Sequence, residues 1–254
     1  MKKILQSIAL KPSQIQTLSS MIGVIFAASW VIGTPLLLYK VFSLPHDSLQ
    51  KEHVRMLFVH VPCAMFSLSL YTLQTIGAIF YIIWPLKHVI KIVISTHLVT
   101  MFLVAQTLIS GSLWGYPTWG TLWAWDARLT SELILFLMLC LQLMILKAPI
   151  KDKNKVYRFY SVVLIIGWID IPIVHYSVQW WNTLHQGYTL SLTGYSSISK
   201  VYLTPLLACM LNQIFWITAV VSYRFKAITI KEGATRYAAD KKGFSKSFLA
   251  SNSI

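Results

Sequence analysis

Four tryptophans fall within twelve residues: Trp114, Trp119, Trp123 and Trp125 lie in the stretch Trp114-Gly115-Tyr116-Pro117-Thr118-Trp119-Gly120-Thr121-Leu122-Trp123-Ala124-Trp125-Asp126-Ala127-Arg128-Leu129-Thr130. Trp and Tyr collect at the headgroup layer of a membrane, and they also stack on flat apolar ligands, so an interface belt and a ligand platform use the same side chains. A belt requires no fixed spacing. Here two Trp-Gly pairs allow close approach of the backbone, and Trp119 and Trp123 stand one helical turn apart. Asp126 and Arg128 bring charge into this aromatic segment, where charge needs a partner or a polar ligand edge. Arg128 suits a carboxylate. Asp126 can orient a donor, or the two can pair and only shape the loop.

The second chemical signal is a pair of histidines. His60 sits in Leu57-Phe58-Val59-His60-Val61-Pro62, with apolar flanks that a merely solvated imidazole would not need. His185 follows Trp180-Trp181-Asn182-Thr183-Leu184 and precedes Gln186-Gly187, again beside tryptophans, and His175 lies ten residues upstream. Zinc takes three or four protein ligands, and no His-x-x-x-His or Cys-x-x-Cys pair completes such a set. Haem iron takes two axial ligands and receives the rest from the porphyrin, whose face suits Trp and whose propionates suit Arg. Two outward imidazoles, His60 with either His175 or His185, therefore suit haem. With no Cys-x-x-Cys-His attachment motif, it is held noncovalently and transiently.

These residues must be positioned by membrane helices. Of 254 residues 56% are hydrophobic and only 12% charged, against roughly 25% charged in ordinary soluble domains, which excludes a soluble enzyme. Spans need about 20 apolar residues, and six stretches qualify: 21–42, 57–84, 92–113, 130–147, 159–176 and 202–223. The predicted fold class is an all-α membrane protein of six transmembrane helices. Residues 1–223 form the membrane domain and 224–254 a basic cytoplasmic tail, read as a flexible surface segment. The opening Met1-Lys2-Lys3 has no clear cleavage site after it, so the first helix is expected to be retained.

The formal charge of +14 follows the gaps between spans, and so reads as topology and contact with membrane lipid rather than with nucleic acid. With the N-terminus inside, seventeen Lys and Arg fall on the cytoplasmic side and five opposite, so both termini are expected in the cytoplasm. The Trp-rich loop 114–130 between helices 3 and 4, His60 and His185 then share the outer face. His88 and His97 are remote from it, and His46 and His53 are solvated. The three cysteines, Cys63, Cys140 and Cys209, lie far apart in apolar runs. Glu132 reads as an exposed acid at a helix start. Asp170 reads as a charge within the fifth helix, either a packing residue or a group that orients His175 or His185.

At Trp114-Gly115, Trp119-Gly120, Trp123 to Thr130, His60-Val61-Pro62 and Trp180 to Gly187 the sequence resembles the cytochrome c maturation protein C (CcmC) family, haem-handling membrane proteins of the Trp-rich WWD-domain group. The likeness extends over all six predicted helices. It implies that His60 and His185 are axial ligands and that the Trp-rich loop is a periplasmic haem platform. It also implies partners: a periplasmic haem chaperone (CcmE), a small membrane subunit (CcmD) and an ATP-binding-cassette pair (CcmA and CcmB). The expected place is a bacterial inner membrane rather than a mitochondrial one. No nucleophile, general base or Walker-type loop is evident, so the chain reads as a presenter and not an enzyme. The rival reading is a small-molecule transporter in which the Trp-rich loop is only a belt. A haem lyase would be longer, and a cytochrome b would need facing intramembrane histidine pairs.

Overall fold

The computed structural model describes residues 12–185, 187 and 198–251. Among them the regular structure is helical: α1 (Pro12–Phe42), a 3-10 turn (Glu52–Met56), α2 (Leu57–Ile83), α3 (Lys87–Trp119), α4 (Ala127–Lys147), α5 (Lys153–Gly167), α6 (Asp170–Trp180) and α7 (Lys200–Ser251). Six stretches are long and apolar enough to cross a membrane: Gln16–Phe42, Glu52–Ile83, Lys87–Trp119, Ala127–Lys147, Lys153–Trp180 and Lys200–Ala234. Six spans are what hydropathy predicts. Met1-Lys2-Lys3 lies outside the described residues.

The fifth span is two helices. Pro172 has no N–H for the Trp168 carbonyl, and its ring would collide with that oxygen. The chain turns through shorter bonds instead, with Ile169 N donating to the Ile166 carbonyl and Ile171 N to the Trp168 carbonyl. Helix α6 then restarts at Asp170. Asp170 is therefore not inside a continuous helix, as its sequence position implied. It is an acid in a first turn, where the helix dipole favours it, although its Oδ2 is buried without a hydrogen-bond partner.

Helices α2 and α3 form a central hairpin, covered on one side by α4 and α5 and on the other by α7, against which α1 packs. The hairpin closes tightly at Gly77, where a Cβ would stand 2.5 Å from Val93 Cγ2, the close approach that small residues permit between membrane helices. Tyr71, Leu135, Leu139, Tyr160 and Leu164 are fully buried between α2, α4 and α5. Three hydrogen bonds cross between helices in this core: Gln142 Nε2 donates to Tyr71 Oη at 2.7 Å, Gln74 Nε2 to Thr100 Oγ1 at 2.5 Å, and Tyr160 Oη meets His97 Nδ1 at 3.2 Å. His97 is thus a core histidine. Cys63, Cys140 and Cys209 are free thiols.

Helix α7 does not stop where the apolar run ends near residue 223 but continues to Ser251. Its extension is fastened where it leaves the bundle. Lys91 and Glu232 pair at 3.0 Å, Tyr157 Oη donates to Glu232 at 3.1 Å, and Arg224 Nε donates to the Ser95 carbonyl at 2.8 Å.

Candidate functional site

At the end of the bundle opposite that anchor, the 3-10 turn, the start of α2, the end of α3 and the start of α4 meet the segment after α6 around an open cleft. Its free space, counted together with the open solvent at its mouth, is about 760 Å³. His60, Trp114, Trp119, Arg128, Glu132 and His185 all line it. His60 is buried in the first turn of α2, and its ring meets Trp114 edge-on at 5.6 Å. Trp114 is itself fixed, because its indole N–H donates to Gln50 Oε1 at 3.0 Å and Gln50 is held by a turn that Asp47 closes.

The tautomer of His60 follows from its neighbour. The Ser110 hydroxyl gives its proton to the Gln106 carbonyl at 2.5 Å, so its lone pair accepts from His60 Nδ1–H at 3.1 Å. Nε2 then carries the lone pair, the form in which imidazole binds a metal, with the second nitrogen oriented by a protein acceptor. Gly111 lies flat against this ring. A Cβ there would stand 2.9 Å from His60 Cε1, closer than side chains tolerate. Gly111→Ala is therefore expected to displace the imidazole and weaken metal-centred binding by about tenfold, as loss of ligand support does; titration of the variant against wild type checks it.

The His60 and His185 ring centroids are 6.1 Å apart, with 36° between their planes. Two imidazoles on opposite sides of one metal, with bonds of about 2 Å and about 1.2 Å from ring centre to nitrogen, place their centroids about 6.4 Å apart. The pair thus stands at the spacing of two axial ligands. Among the described residues there is no group of three or more His, Cys, Asp or Glu that could hold a metal ion. The donor set suits a metal that arrives with its other ligands, as haem iron does.

Asp126 joins the two halves of the site. Its Oδ1 caps α4 by accepting from Leu129 N at 2.8 Å, and its Oδ2 accepts from Leu184 N at 3.1 Å, one residue before His185. Both oxygens serve the backbone, and so the sequence alternative in which Asp126 orients a donor describes it better than a pair with Arg128. Arg128 Nη1 donates to the Val174 carbonyl at 3.3 Å, which ties α4 to α6.

A family model described as Heme exporter protein C matches residues 5–239. The chain belongs to the heme exporter protein C family. Curated relatives agree. It is 35% identical to Heme exporter protein C of Haemophilus influenzae over 195 residues, 76% of this chain and 78% of the relative. It is 39% identical to the protein of the same name from Bradyrhizobium diazoefficiens over 199 residues, 77% and 74% of the two chains. A cytochrome c biosynthesis ccmC-like mitochondrial protein of Arabidopsis thaliana is 35% identical over 209 residues, 81% and 78%.

In this heme exporter protein C family member the Trp-rich segment differs from the loop 114–130 read in the sequence. Helix α3 runs through Pro117 to Trp119, and α4 begins at Ala127, so the non-helical part is only 120–126. Pro117 lies in the last turn and Gly120 ends the helix with φ 70°, its N–H donating to the Tyr116 carbonyl at 2.9 Å, a left-handed cap that favours glycine. Gly115 has the other role, since the Trp119 ring lies against it. Trp123 and Trp125 do not line the cleft. They meet edge-to-face at 5.5 Å, and Trp125 is 78% exposed. His175 is exposed on α6, against Tyr176, and lines a separate shallow groove with Leu68 and Thr72. Gln186 of the Trp180 to Gly187 motif lies outside the described residues.

Glu132 is the main residue that the sequence reading misplaced. It is not an exposed helix-start acid but 5% exposed and in the cleft wall. Arg128 four positions earlier was the available signal, because residues four apart share a helix face. Ser110, Gly111 and Gln50 carried no sequence signal that set them apart.

Proposed function

We propose that this chain binds haem b noncovalently at the outer face of a bacterial inner membrane and presents it to a periplasmic haem chaperone for assembly of c-type cytochromes. The observation that carries the reading is the His60–His185 pair at axial-ligand spacing, beside Trp114 and Trp119, in a cleft that also holds Arg128. Its relatives' names, Heme exporter protein C and cytochrome c biosynthesis protein, support the same cargo and pathway. The excess of seventeen Lys and Arg over five supports both termini in the cytoplasm, which puts the cleft on the outer side.

His60 and His185 hold the iron, and Trp114 and Trp119 offer aromatic surface to the ring. Arg128 meets a propionate. Trp123 and the exposed Trp125, outside the cleft, form a platform beyond its mouth, where the chaperone (CcmE) docks. The chain holds and orients its cargo and makes no covalent bond to it, and so acts as a presenter and not an enzyme. The small membrane subunit (CcmD) is a further partner, and the ATP-binding-cassette pair (CcmA and CcmB) drives release of the loaded chaperone, as the family resemblance implies.

The test is an absorption spectrum of the detergent-purified full chain from cells with and without the chaperone. A six-coordinate haem spectrum is expected, stronger when the chaperone is missing. A chain that carries no haem in either background contradicts the proposal and favours a transporter with a tryptophan belt.

A further inference from the structure

Among the described residues, Glu132 is the one carboxyl and Arg128 the one guanidinium that line the cleft. They stand one helical turn apart on α4, which puts both on the same face. Glu132 is 5% exposed, and its Oε1 has no hydrogen-bond partner. A carboxyl buried at a membrane-spanning helix is costly, and this one faces the compartment into which the ligand's own carboxylates must come. A cleft shaped only for tight retention of an anionic porphyrin would keep the arginine and omit the acid, since the acid repels the groups that the arginine attracts.

Resting on the haem reading above, we propose that Glu132 is a positioning residue that sets the rate of haem release by repelling the haem propionate that Arg128 attracts. Glu132 shares the cleft wall with Arg128 without a hydrogen bond between them, so the acid acts on an engaged propionate through its charge, and that repulsion is relieved when haem departs. The coupling lowers affinity through the propionate contact and leaves the iron ligands untouched. A presenter needs this, because a ligand held by two axial histidines, an arginine and aromatic surfaces would otherwise leave too slowly to be handed on.

The probes are haem and haem dimethyl ester, in which both carboxylates are capped. Each is loaded on the full chain in detergent, and its transfer to excess apomyoglobin is followed by absorption. Glu132→Gln is expected to slow haem transfer about tenfold, whereas the dimethyl ester leaves wild type and variant at the same rate. Glu132→Asp keeps the charge and is expected to release haem as wild type does. Equal haem rates in wild type and Glu132→Gln overturn the proposal. So does a slowing that extends to the dimethyl ester, which marks a change in packing. If Glu132→Gln does not accumulate, Glu132→Met removes the same charge with similar volume and carries the same expectation. A wild-type spectrum that is unchanged in His60→Ala and His185→Ala would instead remove the haem-ligand reading itself.

Discussion

Replacing His60 or His185 by glycine is expected to lower haem affinity about 100-fold, and millimolar imidazole is expected to restore the six-coordinate spectrum. In the proposed complex each ring supplies one of the two axial bonds; their centroids stand 6.1 Å apart. Loss of groups that merely orient a metal ligand costs about 10–100-fold, so loss of the ligand itself belongs at the upper end. Glycine leaves room for free imidazole where each side chain stood. Restoration by imidazole separates lost ligation from collapse of the cleft, which a small molecule would not repair. Retention of full haem by both single variants would remove axial ligation from the account.

Asp126 carries the second large effect, because one side chain holds two distant segments. Asp126→Ala removes the cap of α4, a loss of about 1 kcal/mol in stability, and frees Leu184 N, so that His185 loses its tether. Haem affinity is expected to fall about tenfold, the scale of lost ligand orientation. Asp126→Asn separates the two roles. Its one carbonyl oxygen can cap α4 or accept from Leu184, but not both, and the cap lies within the same helix turn. Thermal unfolding of the asparagine variant is therefore expected to match wild type while haem titration shows weakened binding. An asparagine variant with unchanged affinity would show that the Leu184 bond does not position His185.

The spans were legible because membrane crossing is written in hydropathy, a property of about twenty consecutive residues. The local punctuation was harder to read. Pro117 looked like a loop residue, yet α3 continues through it for two further residues and ends at Gly120, where the backbone turns left-handed. Pro172 was visible, but the consequence that Asp170 begins a new helix depends on which carbonyl the proline deprives. His60 could be singled out as a candidate ligand because imidazole has few roles at an apolar helix mouth, whereas His185 was set apart from His175 by the family resemblance. Glu132 was misread because hydropathy reports depth and says nothing of rotation about the helix axis. Its neighbours on the buried face, Leu129, Leu135 and Leu139, and Arg128 one turn before it, held that information as spacing. The Asp126–Leu184 bond joins residues 58 apart in sequence, and no local pattern encodes it.

The central claim is that His60 and His185 bind one iron between them. The most direct measurement is electron paramagnetic resonance, with nitrogen hyperfine detection, of the oxidised, haem-loaded full chain labelled with ¹⁵N-histidine. The account predicts a low-spin ferric signal coupled to two imidazole nitrogens, reduced to one in either His60→Gly or His185→Gly. A high-spin signal in wild type, or two histidine couplings that persist in either variant, would contradict it.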